Sequence, residues 1–268
     1  MTTIVGVFDS GVGGLTVVRE LRRLLPRQPI VYFGDTARTP YGTKSAETLI
    51  QYARENTEFL LDHGAGVVVI ACHSAASCAT AAVRERFPVP VFEVVTPSVD
   101  QAVARTRGSV IGLIGTRATV ASGVYEREIL ARWPGARVHS QACPLLVPLV
   151  EEGWLRASVT RMTVKKYLGP LKARKIDTLI LGCTHYPLLA GIIREKIGKR
   201  VEIVDPSAEV ATAVREYLRQ EGSLAGAGDA LNGNRFYLTD LTPTTQEVVQ
   251  RFLGERVSIQ KAALSCKH

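Results

Sequence analysis

The chain has 268 residues, 46% of them hydrophobic and 22% charged, enough apolar material for one large globular domain or two smaller ones. Its formal charge of +8 is spread over scattered basic residues, so it reads as a solvated surface with a modest bias toward anionic substrates, and no nucleic-acid partner is expected. No apolar run approaches the ~20 residues that span a bilayer, and the N-terminus shows no charged-then-apolar leader. The five cysteines form no secreted-type framework. The expectation is a cytoplasmic chain with reduced thiols and no membrane partner.

In chain order, short β-branched runs alternate with longer amphipathic segments. The first strand is expected at 3–8, followed by the turn Gly11-Val12-Gly13-Gly14 and a helix over 14–25. A strand at 30–33 and a helix at 45–63 lead to the wholly apolar Val67-Val68-Val69-Ile70, within a strand at 67–71. A helix at 75–86 and a strand at 89–91 close the first half. The second half places strands at 110–114, 137–140, 178–181 and 201–204, with helices at 120–133, 156–172 and 188–197 between them. A helix at 207–220, a flexible connection over 222–228, an edge strand at 235–238 and a mobile tail from 261 complete the pattern.

Strands that are apolar on both faces belong to buried parallel sheets, and strand–helix alternation indicates an α/β fold. The chain also says something twice. Ile4-Val5-Gly6-Val7-Phe8 is matched by Val110-Ile111-Gly112-Leu113-Ile114, and Val67-Val68-Val69-Ile70-Ala71-Cys72-His73-Ser74 by Leu179-Ile180-Leu181-Gly182-Cys183-Thr184-His185. The period is a half-domain rather than a short solenoid repeat. We therefore expect two pseudo-symmetric doubly wound domains with parallel sheets, the first built from 1–95 plus 207–268 and the second from 96–206. The active site would lie in the cleft between them, outside the carboxyl ends of the strands.

Cys72 and Cys183 each follow a buried strand and precede a helix start. There the exposed N–H groups and the positive end of the dipole would stabilise thiolate and bring the pKa toward neutral. One such cysteine is ordinarily a small buried hydrophobe. Two in matching contexts of matching halves suggest a symmetric pair of weak acids facing across a cleft. That arrangement suits removal of a proton from one face of a carbon and its return to the other. Ser74 and Thr184 could cap the helices or bind a carboxylate. Asp9 could hold a substrate amino group, and His185 could exchange a proton with Cys183 or cap a helix. Cys78, Cys143 and Cys266 read as structural, and no Cys/His spacing suggests a metal.

These residues closely resemble the aspartate/glutamate racemase superfamily over nearly the whole chain. The resemblance rests on Phe8-Asp9-Ser10-Gly11-Val12-Gly13-Gly14-Leu15-Thr16, Tyr32-Phe33-Gly34-Asp35-Thr36-Ala37, Pro40-Tyr41-Gly42, Ile114-Gly115-Thr116-Arg117-Ala118-Thr119, Pro148-Leu149-Val150-Glu151, Gly182-Cys183-Thr184-His185-Tyr186-Pro187 and Val204-Asp205-Pro206-Ser207. It implies a cofactor-independent isomerase acting on glutamate, with no pyridoxal phosphate and no metal. Cys72 would be the base for the D-enantiomer and Cys183 for the L-enantiomer, assisted by Asp9, His185 and Glu151. Ser10, Pro40, Tyr41, Gly42, His73, Ser74, Thr116, Thr119 and Thr184, with Asp9, match positions that hold the substrate. The product would feed peptidoglycan synthesis, and so cell-wall biogenesis and cell shape, in a bacterium; a homodimer is left open.

One position departs from the pattern: Cys-Asn-Thr of the family is Cys72-His73-Ser74 here. Serine keeps the hydroxyl, but His does not keep an amide that donates and accepts at once. His73 could donate to a carboxylate, tune Cys72 by its charge, or crowd the pocket. The alternatives are a racemase of another small substrate such as aspartate or a hydantoin, or a catalytically impaired relative. A nucleotide-binding reading of Gly11-Val12-Gly13-Gly14 is weak, because the run is not Gly-x-Gly-x-x-Gly and lacks a P-loop lysine. Those glycines are expected to let the backbone approach the substrate closely.

Overall fold

The structure is a computed structural model that describes residues 2–226 and 233–262. The chain opens with β1 (Ile4–Asp9), α1 (Leu15–Leu24), β2 (Ile30–Gly34), α2 (Ala46–Asp62), β3 (Ala65–Ile70), α3 (His73–Arg86) and β4 (Val91–Glu93). It continues with α4 (Val95–Arg105), β5 (Val110–Gly115), α5 (Arg117–Ala121), α6 (Val124–Arg132), β6 (Arg137–Ala142), α7 (Leu146–Glu151), α8 (Ser158–Ala173), β7 (Thr178–Gly182), α9 (Ala190–Ile197) and β8 (Glu202–Val204). Last come α10 (Ser207–Gln220), β9 (Arg235–Leu238), α11 (Thr245–Leu253) and β10 (Ile259–Lys261).

All strand pairings are parallel and fall into two sheets, ordered β10-β9-β2-β1-β3-β4 and β6-β5-β7-β8. The repeat seen in sequence is therefore a repeat of topology: 2-1-3-4 in one sheet becomes 6-5-7-8 in the other. In each, the chain steps outward from the first strand and returns past it to the third. Right-handed crossovers then put successive helices on opposite faces. Accordingly α1 packs with α10 and α11, and α2 packs with α3. The central strands β1, β3, β5 and β7 are buried on both faces, which is why their sequences are continuous apolar runs rather than alternating ones. Each fully buried Val, Leu or Ile contributes roughly 1.5–3 kcal/mol of transfer free energy.

Several details differ from the sequence reading. The helix expected at 120–133 is two helices, α5 and α6, separated at Gly123, whose φ of 64° breaks the helical path. The run 235–238 is not an edge strand, because β10 pairs with its outer side. Lys261, placed in a mobile tail, ends that strand; residues 263–268, with Cys266, and 227–228 of the expected connection lie outside the described residues. Helices α4, α7 and α11 were not anticipated. No described helix is long and apolar enough to cross a membrane.

Candidate active site

Asp9 ends β1 and Cys72 comes two residues after β3, so the switch point of the first sheet puts both at one place. Thr116 follows β5 and Cys183 follows β7 at the matching point of the second sheet. The two switch points meet. Ser10, Thr39, Pro40, Tyr41, Gly42, Cys72, His73 and Ser74 from one side, with Thr116, Val147, Cys183, Thr184 and His185 from the other, line one narrow cavity of about 30 Å³. By volume it admits only about one or two water molecules. It shares Thr39, Pro40, Gly42, Thr116 and Val147 with a wider mouth of about 310 Å³, which Arg117, Pro148 and Glu151 also border.

The side facing Cys183 is charged. Cys183 Sγ lies 3.8 Å from His185 Nδ1, and His185 Nε2 lies 2.9 Å from Glu151 Oε1. Burial works against charge on His185, but its bonds to Cys183 and Glu151 outweigh burial and push its pKa up to about 10. The ring is thus an imidazolium at neutral pH. Phe252 packs edge-on against it with centroids 4.9 Å apart, and Arg251 donates to the carbonyls of Val150 and Glu151 at the end of α7. Both residues come from α11, which belongs with the first sheet.

The side facing Cys72 carries no such cation. Cys72 stands at the N-cap position of α3 with no side-chain cap hydrogen bond; burial and then the neighbouring Asp9 push its pKa up to about 12, against a smaller lowering influence of Ala75 N–H and the Ser10 hydroxyl. The expectation that the helix start brings this thiol toward neutrality fails: loss of hydration at a residue only 5% exposed outweighs the nearby donors. Asp9 itself is wholly buried and raised above the usual carboxylate range by burial, partly offset by the His185 charge. It accepts from Gly11 N–H at 3.0 Å and from the Thr184 hydroxyl at 3.4 Å, and so stands behind the cavity wall.

The remaining candidates sort by what their polar atoms already do. Ser74 Oγ, Thr116 Oγ1 and Thr119 Oγ1 form a hydroxyl cluster across the cleft, at 2.8, 3.1 and 3.4 Å. Thr119 is buried behind the cavity rather than lining it. Tyr41 lines the cavity, but its hydroxyl donates to Asp35 and accepts from Asn56 Nδ2 at 3.0 Å, so the ring is a wall rather than a polar hand. Asp35 is further held by Arg38 Nε at 2.6 Å and Thr239 Oγ1 at 3.2 Å. Pro40 follows a cis peptide bond. His73 is neutral, since burial lowers its pKa to about 3, and its Nδ1 lies 2.6 Å from Tyr125 Oη; tuning Cys72 by charge is thereby excluded.

The glycines serve contact between the halves more than contact with substrate. A Cβ on Gly13 would stand 2.2 Å from Thr184 Oγ1 and 2.6 Å from His185 Nδ1, and one on Gly42 would stand 2.5 Å from Thr116 Cβ. Gly14 instead lies against Asp9 and Ala71. Sequence reasoning missed Thr39, Val147, Tyr125, Arg251 and Phe252, for which no local motif exists. Among the described residues, no group of three or more His, Cys, Asp or Glu side chains is arranged to hold a metal ion.

The family model described as Asp/Glu/Hydantoin racemase matches residues 13–214. The chain belongs to this racemase family. Glutamate racemase of Syntrophus aciditrophicus is 48% identical over 250 residues, covering 93% of this chain and 92% of the relative. A crystal structure of a glutamate racemase isoform from Bacillus anthracis superposes with a TM-score of 0.92 at 38% identity, covering 99% of each chain. One from Francisella tularensis, solved with D-glutamate, also gives 0.92, at 33% identity and 98% of each chain. The protein is accordingly an amino-acid racemase, an isomerase, whose α/β fold of two parallel sheets is that of its solved relatives.

Proposed function

We propose that the racemase interconverts L- and D-glutamate by a two-base mechanism, with Cys183 removing the α-proton of the L-enantiomer while Cys72 protonates the opposite face. The reverse reaction exchanges the roles. The observation that carries this reading is the single cavity that both sulfurs line, one from each sheet. Stereoinversion needs an acid and a base on opposite faces of one carbon, and a duplicated fold supplies them.

One turnover breaks the C–H bond as it forms an S–H bond on the first cysteine, then breaks the S–H bond of the second as it forms the new C–H. The two sulfurs have then exchanged protonation, and proton exchange with solvent restores them, so no net proton is consumed. In the direction from L, the resting arrangement suits the first step: Cys183 has the His185 counter-charge, and Cys72 is a neutral thiol holding the proton to be delivered. Negative charge developing on the α-carboxylate meets hydroxyls of Ser74, Thr116 and Thr184 that are preorganised around the cavity. The hydroxyls would hold the substrate ammonium, whose charge acidifies the α-carbon, with the Asp9 carboxyl supporting Thr184 from behind the cavity wall. Ser10, Pro40, Tyr41, Gly42 and His73 would complete the walls, while Thr119 and Glu151 support from behind. The cavity is smaller than an amino acid, so the lobes at 1–95 with 207–268 and at 96–206 must part for binding and close for chemistry. In a cell such an activity supplies D-glutamate, a peptidoglycan precursor.

The test is α-proton exchange and optical inversion of each glutamate enantiomer in deuterium oxide with no cofactor added. Both enantiomers should invert with deuterium incorporation. Inversion without incorporation, or a preference for aspartate, would overturn the assignment.

A further inference from the structure

His73 begins α3 immediately after Cys72, is 4% exposed and lines the cavity. Tyr125 lies in α6 of the second half and is 1% exposed. Their rings are nearly parallel, 20° apart with centroids at 6.2 Å, and Nδ1 and Oη are 2.6 Å apart. A neutral imidazole carries one N–H and one lone pair, so whatever occupies Nδ1 decides what Nε2 can be. Burial keeps the imidazole neutral and raises Tyr125 above its ordinary value, so the phenol retains its proton. The neighbouring Ser98 hydroxyl donates to Val94 O at 2.6 Å and also lies beside the Tyr125 hydroxyl, toward which its oxygen can only accept.

Two arrangements of protons satisfy the 2.6 Å contact. If Nδ1–H donates to the phenol oxygen, a lone pair on Nε2 is left for the cavity, and it would repel a substrate carboxylate. If the phenol donates to Nδ1, Nε2 carries the proton and becomes a donor. For a dicarboxylate substrate the second is favoured, and it places on the Cys72 side a hydrogen-bond donor that adds no net charge.

We infer that Tyr125 is a positioning residue for substrate binding: from across the cleft it donates its hydroxyl proton to His73 Nδ1 and so fixes the tautomer whose Nε2–H faces the substrate carboxylate. The inference rests on the glutamate racemase reading for its ligand, but the tautomer itself does not.

Two measurements test it. In protein labelled with ¹⁵N-histidine, long-range ¹H–¹⁵N correlation should show His73, assigned by loss of its signals in His73→Asn, protonated at Nε2. Protonation at Nδ1 overturns the inference whether or not glutamate turns over. In kinetics, Tyr125→Phe should raise KM for both glutamate enantiomers about tenfold and leave kcat within about threefold, because the freed ring can adopt the wrong tautomer. In a His73→Asn background, where an amide donor has no tautomer to lose, Tyr125→Phe should change KM by less than about twofold. An equal rise in both backgrounds would assign Tyr125 to packing and overturn the role. Should wild-type protein racemise no glutamate at all, the function fails, and the tautomer measurement still decides the arrangement of the pair.

Discussion

Cys72 and Cys183 follow equivalent strands of a repeated topology, yet one faces a buried carboxylate and a neutral ring while the other faces an imidazolium. Repetition supplies a cysteine at each switch point, and divergence of the surroundings gives the two different electrostatic settings. This does not make the enzyme one-directional. Enantiomers have equal free energy in water, so kcat/KM must be the same in both directions. The inequality of the two sides can appear only in how kcat and KM divide, and in single-sided exchange.

Removing one sulfur should have the largest effect. Cys72→Ser and Cys183→Ser are each expected to reduce racemisation at least a thousandfold in both directions. In deuterium oxide, Cys72→Ser should still exchange the α-proton of L-glutamate, and Cys183→Ser that of D-glutamate, without inversion; undiminished racemisation by either variant breaks the scheme. Next comes Gly13→Ala, whose methyl would drive into Thr184 and His185. It should lower kcat/KM about a hundredfold while circular dichroism stays native, because it holds the halves apart rather than unfolding either.

Glu151→Gln sharpens the contrast by acting on one side. It removes a partner that helps hold His185 charged, so the alkaline limb of the kcat–pH profile should move to lower pH, with a loss in rate of about tenfold. The same pair makes a statement about stability. The folded pKa of His185, about 10, is above the ordinary histidine value of 6.5, so the stabilisation it brings is complete below about 6.5 and is lost as pH rises through about 10. Thermal melting of wild type should therefore converge on that of His185→Asn across this window, and a constant gap would contradict it. Arg251→Met, which frees the end of α7 from α11, is expected to cost about 1–2 kcal/mol in urea unfolding and a few-fold in kcat. Cys78→Ser, on α3 but away from the cavity, should leave both nearly unchanged.

Much of the fold was legible because β1, β3, β5 and β7 are apolar on both faces, a signal that survives without tertiary information. The cysteines were legible because each stands just past such a strand. Helix α4 was not, since its opening Val95-Thr96-Pro97-Ser98 reads as an extended stretch; Glu93 starts it by accepting from the N–H groups of Val95 and Thr96. Tyr125, Arg251 and Phe252 carry no local pattern at all. They matter through contacts made from 52 residues away in the case of Tyr125, and about 100 in the case of Arg251. The protonation of Cys72 was misjudged because a sequence displays the helix start that favours thiolate but not the depth of burial that opposes it.

The chain passes from one sheet to the other twice, between Glu93 and Val95 and again at Asp205 and Pro206. Each passage is pinned by a carboxylate gripping the helix that follows: Glu93 holds α4, and Asp205 accepts from Ser207 N at 3.1 Å and Oγ at 2.7 Å at the head of α10. A body tethered by one strap can swivel in any sense. One tethered by two short straps is left with rocking about the line that joins them, like a door on paired hinges. On the two-base proposal, that restraint would make the halves meet in one alignment whenever they close, so that both sulfurs return to the same mutual aim on each turnover.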